Sequence, residues 1–215
     1  MEQTITAIKA QVRNPQRLNI FLDGEYAFSL ARIVAAWLSV GRVLSEVEIA
    51  SLREKDTAEV AYQGALHFLS FRTRSVAEVA QNLKEKGYAE AVVLQTVERL
   101  QTNGLLNDAS FAQAWVENRG TFRPRGRRAL AVELRRKGVS DEVIDQALGE
   151  SPGEEELAYQ AAQRQGQRLA ELDRSHFYSR LAGFLGRRGF SYETVRPVVD
   201  RLWVELHSPE GQNET

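Results

Sequence analysis

The feature that most constrains this chain is a period of 51 residues. Leu83-Lys-Glu-Lys86-Gly87, Leu134-Arg-Arg-Lys137-Gly138 and Leu185-Gly-Arg-Arg188-Gly189 share the pattern Leu, three residues, Gly, and both Gly-to-Gly intervals are 51. Apolar residues recur around it in register. Val79, Leu130 and Leu181 stand four before each Leu, and Tyr88, Val139 and Phe190 stand one after each Gly. Val93, Ile144 and Val195 follow, and then Val97, Leu148 and Val199. A period of this size marks repeated supersecondary units. Apolar residues four apart share one helical face, and the glycine suits the left-handed residue that closes a helix. Lys86, Lys137 and Arg188 fall in the last turn, where a cation meets the negative end of the helix dipole. Each unit therefore reads as helix–Gly–helix.

Start signals agree with this reading. Ser75-Val-Ala-Glu78 has capping-box spacing, and Ser140 and Ser191 stand where N-caps belong. A further helix precedes each pair: Ala61–Phe71, Asp108–Asn118 and Glu154–Arg168. Ahead of the repeats, Thr4–Val12 alternates like a strand. Asp23-Gly24 is a hairpin signal between Leu18–Leu22 and Glu25–Leu30, because both turn positions require φ > 0. Two short helical patterns follow, Leu30–Leu38 and Ser45–Lys55, and Glu54–Thr57 has the composition of a linker. The expected fold is mainly α: an elongated, curved tandem array of three three-helix repeats after a small N-terminal unit with a β-hairpin. The expected divisions are 1–57, 58–106, 107–151, 152–207 and a flexible tail, 208–215. Gly149–Gly153 is the expected joint between the second and third repeats.

Charge points to function. From Arg119 to Lys137 there are eight basic residues and one acid, Glu133, a local +7 in a chain of net charge −1. Such a field attracts phosphate or an acidic protein surface. Arg135, Arg136 and Lys137 are explicable as cations at a helix C-terminus. Arg123-Pro-Arg125-Gly-Arg127-Arg128 is less so: it crowds a connection, and no acid near it in sequence offsets the repulsion. Arginine forks suit phosphates and carboxylates. Arg72 and Arg74 end the first-unit helix and Arg119 the second, which would lay a basic stripe across the array. Phe122, in the same connection, reads as a roof over its helix pair, with base stacking as the alternative.

Other classes are disfavoured. There is no cysteine, hence no disulfide, thiolate zinc site or cysteine nucleophile, which fits a reducing compartment. His67, His176 and His207 have no ligand spacing, and no phosphate-binding loop or nucleophile elbow occurs. The N-terminus lacks a secretory signal layout, and no apolar run approaches the roughly 20 residues of a membrane span. The expectation is a cytoplasmic, non-enzymatic protein without cofactor or metal.

The residues also resemble a known family. Ala65 to Glu78, ALHFLSFRTRSVAE, is similar to the AL-x-x-L-x-x-R-x-R-S-x-x-E signature of the bacterial RecX regulatory proteins. Asn103–Arg119 resembles that family's second signature, and Gly126 with Glu133–Val139 its third. Leu38–Leu44 is similar to its lead-in, while Asn107 stands where an aspartate is usual. The resemblance implies a modulator, usually an inhibitor, of the RecA recombinase. Such proteins lie in the groove of the recombinase filament on single-stranded DNA, suppressing ATP hydrolysis and strand exchange in recombinational repair and the SOS response. Carried onto this chain, the contact residues are Arg72, Arg74, Arg119, Arg123, Arg125, Arg127, Arg128, Arg135, Arg136 and Lys137, with Arg187 and Arg188 as weaker candidates. The expected partners are the RecA filament and single-stranded DNA, with double-stranded DNA as a further ligand, for a protein acting as a monomer. The competing reading is a sequence-nonspecific DNA binder independent of the recombinase, against which the net charge of −1 weighs.

Overall fold

The computed structural model describes residues 2–150 and 153–208. Four strands and nine helices lie within them: β1 (Glu2–Ala10), β2 (Arg17–Leu22), β3 (Glu25–Ala31), β4 (Val43–Ser45), α1 (Glu46–Ser70), α2 (Val76–Glu85), α3 (Glu90–Thr102), α4 (Asp108–Phe122), α5 (Arg127–Arg136), α6 (Asp141–Gly149), α7 (Glu154–Leu169), α8 (Arg174–Arg187) and α9 (Tyr192–His207). They form two compact units. Among the described residues, the first comprises 2–74 and 79–106, and the second 75–78, 107–150 and 153–208.

In the first unit the strands make an antiparallel sheet of order β3-β2-β1-β4. Asp23 at φ 49° and Gly24 at φ 94° form the hairpin between β2 and β3, as the Asp-Gly pair predicts. Ile5, Ile20, Leu22, Phe28 and Leu30 alternate onto one face and bury with Leu44, Ile49 and Leu52. Two expectations fail here. The segment Leu30–Leu38 is not a helix: β3 runs to Ala31 and turns follow to Trp37. Nor is Glu54–Thr57 a linker, because α1 runs unbroken for 25 residues. Asp56, inside that stretch, fastens sheet to helix. It accepts the Ala31 backbone N–H at 2.6 Å and pairs with Arg17 at 2.8 Å. Farther along α1, buried Glu59 pairs with Arg99 of α3 at 2.7 Å, and that guanidinium lies 3.7 Å from the centre of the Tyr62 ring.

α1 begins with a complete capping box, in which Ser45 and Glu48 exchange side-chain and backbone bonds. The Ser45 N–H, with its hydroxyl, holds the Glu48 carboxylate below its usual range. The box expected at Ser75–Glu78 is present too, with Glu78 N–H on Ser75 Oγ at 3.2 Å. Asn107 and Ser191 cap α4 and α9 through their side chains. Ser140 occupies the N-cap of α6 without a side-chain bond, so only its backbone serves there.

The second unit is helical. Phe111, Ala112, Val116, Leu130, Leu134 and Ile144 form one core, and Phe177, Leu181, Leu185, Val195 and Val199 with Leu157 and Ala158 form another. The Leu of each repeat pattern is fully buried, and the three glycines take φ of 86°, 76° and 87°. Their surroundings differ. A Cβ on Gly87 would meet nothing within 4 Å among the described residues, one on Gly138 would overlap the Ala77 side chain, and one on Gly189 would strike Ala129.

Both crowded turns are joined in the same way. The carbonyl before Gly138, that of Lys137, accepts Ser75 Oγ at 2.5 Å, and the carbonyl before Gly189, that of Arg188, accepts the Gly126 N–H at 2.9 Å. Ser75 and Gly126 are themselves 51 apart. The next position in that series, Phe177, lies inside α8, and its N–H bonds Asp173 O at 2.9 Å. Ser151 and Pro152 of the expected joint, and residues 209–215 of the expected tail, lie outside the described residues.

Two predictions arise from these joints. In chemical denaturation Gly87→Ala should cost about 1–2 kcal/mol, the penalty for a side chain in the left-handed region. Gly138→Ala and Gly189→Ala should cost about 2–4 kcal/mol, because overpacking adds to it. The second concerns Asp108, which accepts the Val76 N–H at 2.9 Å. Burial raises its pKa, against the lesser effect of that hydrogen bond. The folded state therefore binds this proton more tightly than the unfolded chain, and stability falls as pH rises from the ordinary aspartate range through the raised value. Asp108→Asn keeps an acceptor but cannot titrate. Its stability relative to the native protein should improve across that window, as urea midpoints from pH 3 to 7 would show.

Candidate nucleic-acid interface

The basic stretch ends α4, crosses the connection Arg123–Gly126 and fills α5. Its one acid organises part of it. Glu133, half-buried, accepts the Trp115 indole N–H at 2.9 Å and Arg119 Nε at 2.9 Å through one oxygen, and Arg125 at 2.8 Å through the other. Arg119 lies 4.8 Å and Lys137 5.5 Å from the centre of the Trp115 ring. Lys137 also pairs with Glu78 at 2.7 Å. The expectation that nothing offsets the arginine repulsion is corrected for Arg125, since α5 carries Glu133 back against the end of α4.

The other cations divide by environment. Arg188 donates to Pro124 O at 3.3 Å and lies over the Phe184 ring. Burial, and then the nearby charges of Arg125 and Arg123, press its pKa below the usual value. Thus Arg123, Arg125 and Arg188 share one electropositive locality. Arg135 pairs with Asp141 at 2.6 Å, both exposed, and contributes little stability. Arg123, Arg127, Arg128, Arg136 and Arg187 are exposed, and none has an ion pair among the described residues.

Arg127 and Arg128 stand in the first turn of α5, the positive end of its dipole, with no acid in that turn and no side-chain cap from Gly126. Each cation there is opposed by the dipole, by about 0.3–1 kcal/mol. The free N–H of Arg127 is satisfied from outside, by Glu154 at 3.0 Å. With Arg135 these two arginines line a shallow depression floored by Ala131, Val132 and Leu148.

In the first unit, Arg72 is exposed and donates to Thr73 O at 2.9 Å. Arg74 lies over the Phe68 ring at 4.0 Å. The equivalence drawn between these and Arg119 is off by several residues. At the 51-residue offset, Arg72 and Arg74 match Arg123 and Arg125, and each pair follows a phenylalanine: Phe71-Arg72-Thr73-Arg74 and Phe122-Arg123-Pro124-Arg125. Phe122 does not roof the helix pair; it is 75% exposed, and Phe71 is 70% exposed. The 51-residue offset carries this signal, whereas the helix ends alone do not, because α4 runs three residues past Arg119.

Among the described residues no group of three or more His, Asp or Glu side chains is placed to hold a metal ion, and no helix is long and apolar enough to cross a membrane. Loss of Glu133 gives a direct test of the arginine anchor. Glu133→Ala, which strips an indole and two guanidinium groups of their acceptor, should destabilise by about 1–2 kcal/mol and alter Trp115 emission. Glu133→Gln, which keeps one acceptor, should cost less in the same denaturation experiment.

Four family models match the sequence: the regulatory protein RecX N-terminal domain at residues 3–45, and the first, second and third RecX three-helix domains at 61–100, 107–148 and 153–199. The regulatory protein RecX of Bacillus pumilus is 33% identical over 98% of this chain and 79% of its own length. That of Bacillus subtilis is 32% identical over 94% and 78%. A crystal structure of a regulatory protein RecX superposes with a TM-score of 0.78 at 29% identity, covering 92% of this chain and 99% of that one. With its helical repeats, its N-terminal sheet and these matches along nearly the whole sequence, the chain belongs to the RecX family of regulatory proteins.

Proposed function

We propose that this protein inhibits a RecA recombinase by binding its filament on single-stranded DNA, and that it catalyses no reaction itself. The observation that carries the reading is the set of exposed arginines that have no ion pair among the described residues, Arg123, Arg127, Arg128 and Arg136, two of them in the first turn of α5, where the dipole disfavours them. A chain of net charge −1 that concentrates cations on one connection is suited to a local anionic target. Phosphates in the filament supply that target, and the recombinase supplies the surface for the rest of the molecule. Membership of the regulatory family supports a modulator over an enzyme. Arg119, Arg125, Lys137 and Arg188 hold the platform, while Arg72, Arg74, Arg135 and Arg187 extend the charge. The protein acts in the cytoplasm, where such filaments form, as a monomer.

The test reverses only arginines that the fold does not use. Arg123→Glu, Arg127→Glu and Arg128→Glu together should retain helical circular dichroism and lose recombinase ATPase inhibition by tenfold or more in effective concentration. If all three meet phosphates of the single strand, the log–log salt slope of filament binding should fall by about two. Unchanged inhibition removes this connection from the mechanism. Co-sedimentation separates the alternative: preference for filaments over naked DNA supports a filament regulator, and equal binding supports an independent DNA binder.

A further inference from the structure

Phe71 and Phe122 are exposed, Phe71 as the C-cap of α1 and Phe122 as the last residue of α4, and each is followed at one and three residues by arginine. A single exposed phenylalanine needs no explanation. Two at the same repeat position, in the same four-residue context and with different surroundings, are not scatter. The Phe71 ring meets His67 edge-on at 4.9 Å. Phe122 directly precedes Arg123, which has no ion pair among the described residues. The third repeat has Asp173-Arg174-Ser175-His176 at the corresponding place and lacks the element.

We infer that Phe71-Arg72-Thr73-Arg74 and Phe122-Arg123-Pro124-Arg125 are two copies of one binding element for unpaired nucleotides, in which the phenylalanine stacks on a base and the arginine directly after it, Arg72 or Arg123, reaches the adjoining phosphate, while Arg74 over Phe68 and Arg125 on Glu133 add to the local positive field. The chemistry of the ligand selects this occupant. A single strand offers one planar face and one negative charge per residue, and offers the same unit again farther on. Aromatic side chains beside cations are the groups that take such units regardless of sequence. A duplex hides the faces of its bases. A protein surface would have to present the same aromatic-plus-anion feature twice. The inference rests on reading the arginines as phosphate ligands, and it adds that the strand must be unpaired.

The experiment uses the full chain, a fluorescent oligo-dT of about 30 nucleotides, an abasic strand of the same length and a duplex, without recombinase. Stacking of one base is worth on the order of tenfold in affinity. Phe71→Ala with Phe122→Ala should therefore weaken oligo-dT binding tenfold or more. Binding to the abasic strand and to duplex should be unchanged, and so should the salt slope. Phe122→Trp should retain affinity and show quenching by oligo-dT but not by the abasic strand. Equal losses on all three ligands, no loss on oligo-dT, or a native protein that ignores oligo-dT would each overturn the inference. A defect of the double alanine variant confined to recombinase filaments would also overturn it, assigning the two rings to the protein partner. A native protein that stacks on oligo-dT through these residues but leaves recombinase ATPase untouched would uphold the inference and defeat the proposed function.

Discussion

The repeats depend on one contact, a left-handed glycine set against an alanine with the preceding carbonyl taken up by the start of another helix. Gly138 and Ala77, with Lys137 O and Ser75 Oγ, form one instance. Gly189 and Ala129, with Arg188 O and the Gly126 N–H, form the other. Helix C-termini leave carbonyls without intrahelical partners, and here such a carbonyl is satisfied by the next joint. The glycine is therefore needed twice over, for its φ and for its lack of Cβ. Packing and polar satisfaction select the same residue, an agreement across levels that gives a sequence a single structure.

That contact also places the charges. Because Gly126 is held by Arg188 O, the connection Arg123–Gly126 lies against the turn that carries Arg188, and its cations gather. Glu133 then gathers Arg119 and the Trp115 indole on one oxygen and Arg125 on the other. The basic stretch is thus of two kinds. Some of its residues are structural members fixed by acids and rings, and the side chains of others are exposed and have no ion pair among the described residues. A count of arginines cannot distinguish the two kinds, whereas their partners do.

The repeat was legible in the sequence because it is written in Leu and Gly, whose positions are set by burial and by φ. α1 was harder. Its first half buries Ile49 and Leu52 against the sheet and its second half presents Glu59 and Tyr62 toward α3, so the apolar face changes partner midway. Glu54–Thr57 lies at that change and resembles a linker, though nothing in it breaks a helix. The role of Asp56 was invisible because its partners, Arg17 and Ala31, are distant in sequence. Glu133 was visible as the single acid of its stretch, but pairing across 8 and 14 residues requires the helix turn to be known. The phenylalanine–arginine element was fully present in the sequence and needed only the 51-residue offset applied residue by residue.

Ser75 and Gly126 each offer a donor to a turn 62 residues farther along the chain, but the third position in the series has none to offer. α8 begins early enough that Phe177 is already inside it, with its N–H committed to Asp173 and its ring in the core. A fourth copy appended by gene duplication would find its turn carbonyl unanswered. Repeat arrays hold together through contacts between neighbouring copies; a repeat placed after the third would need another donor for that carbonyl, because α8 begins before the position that supplies it in the first two.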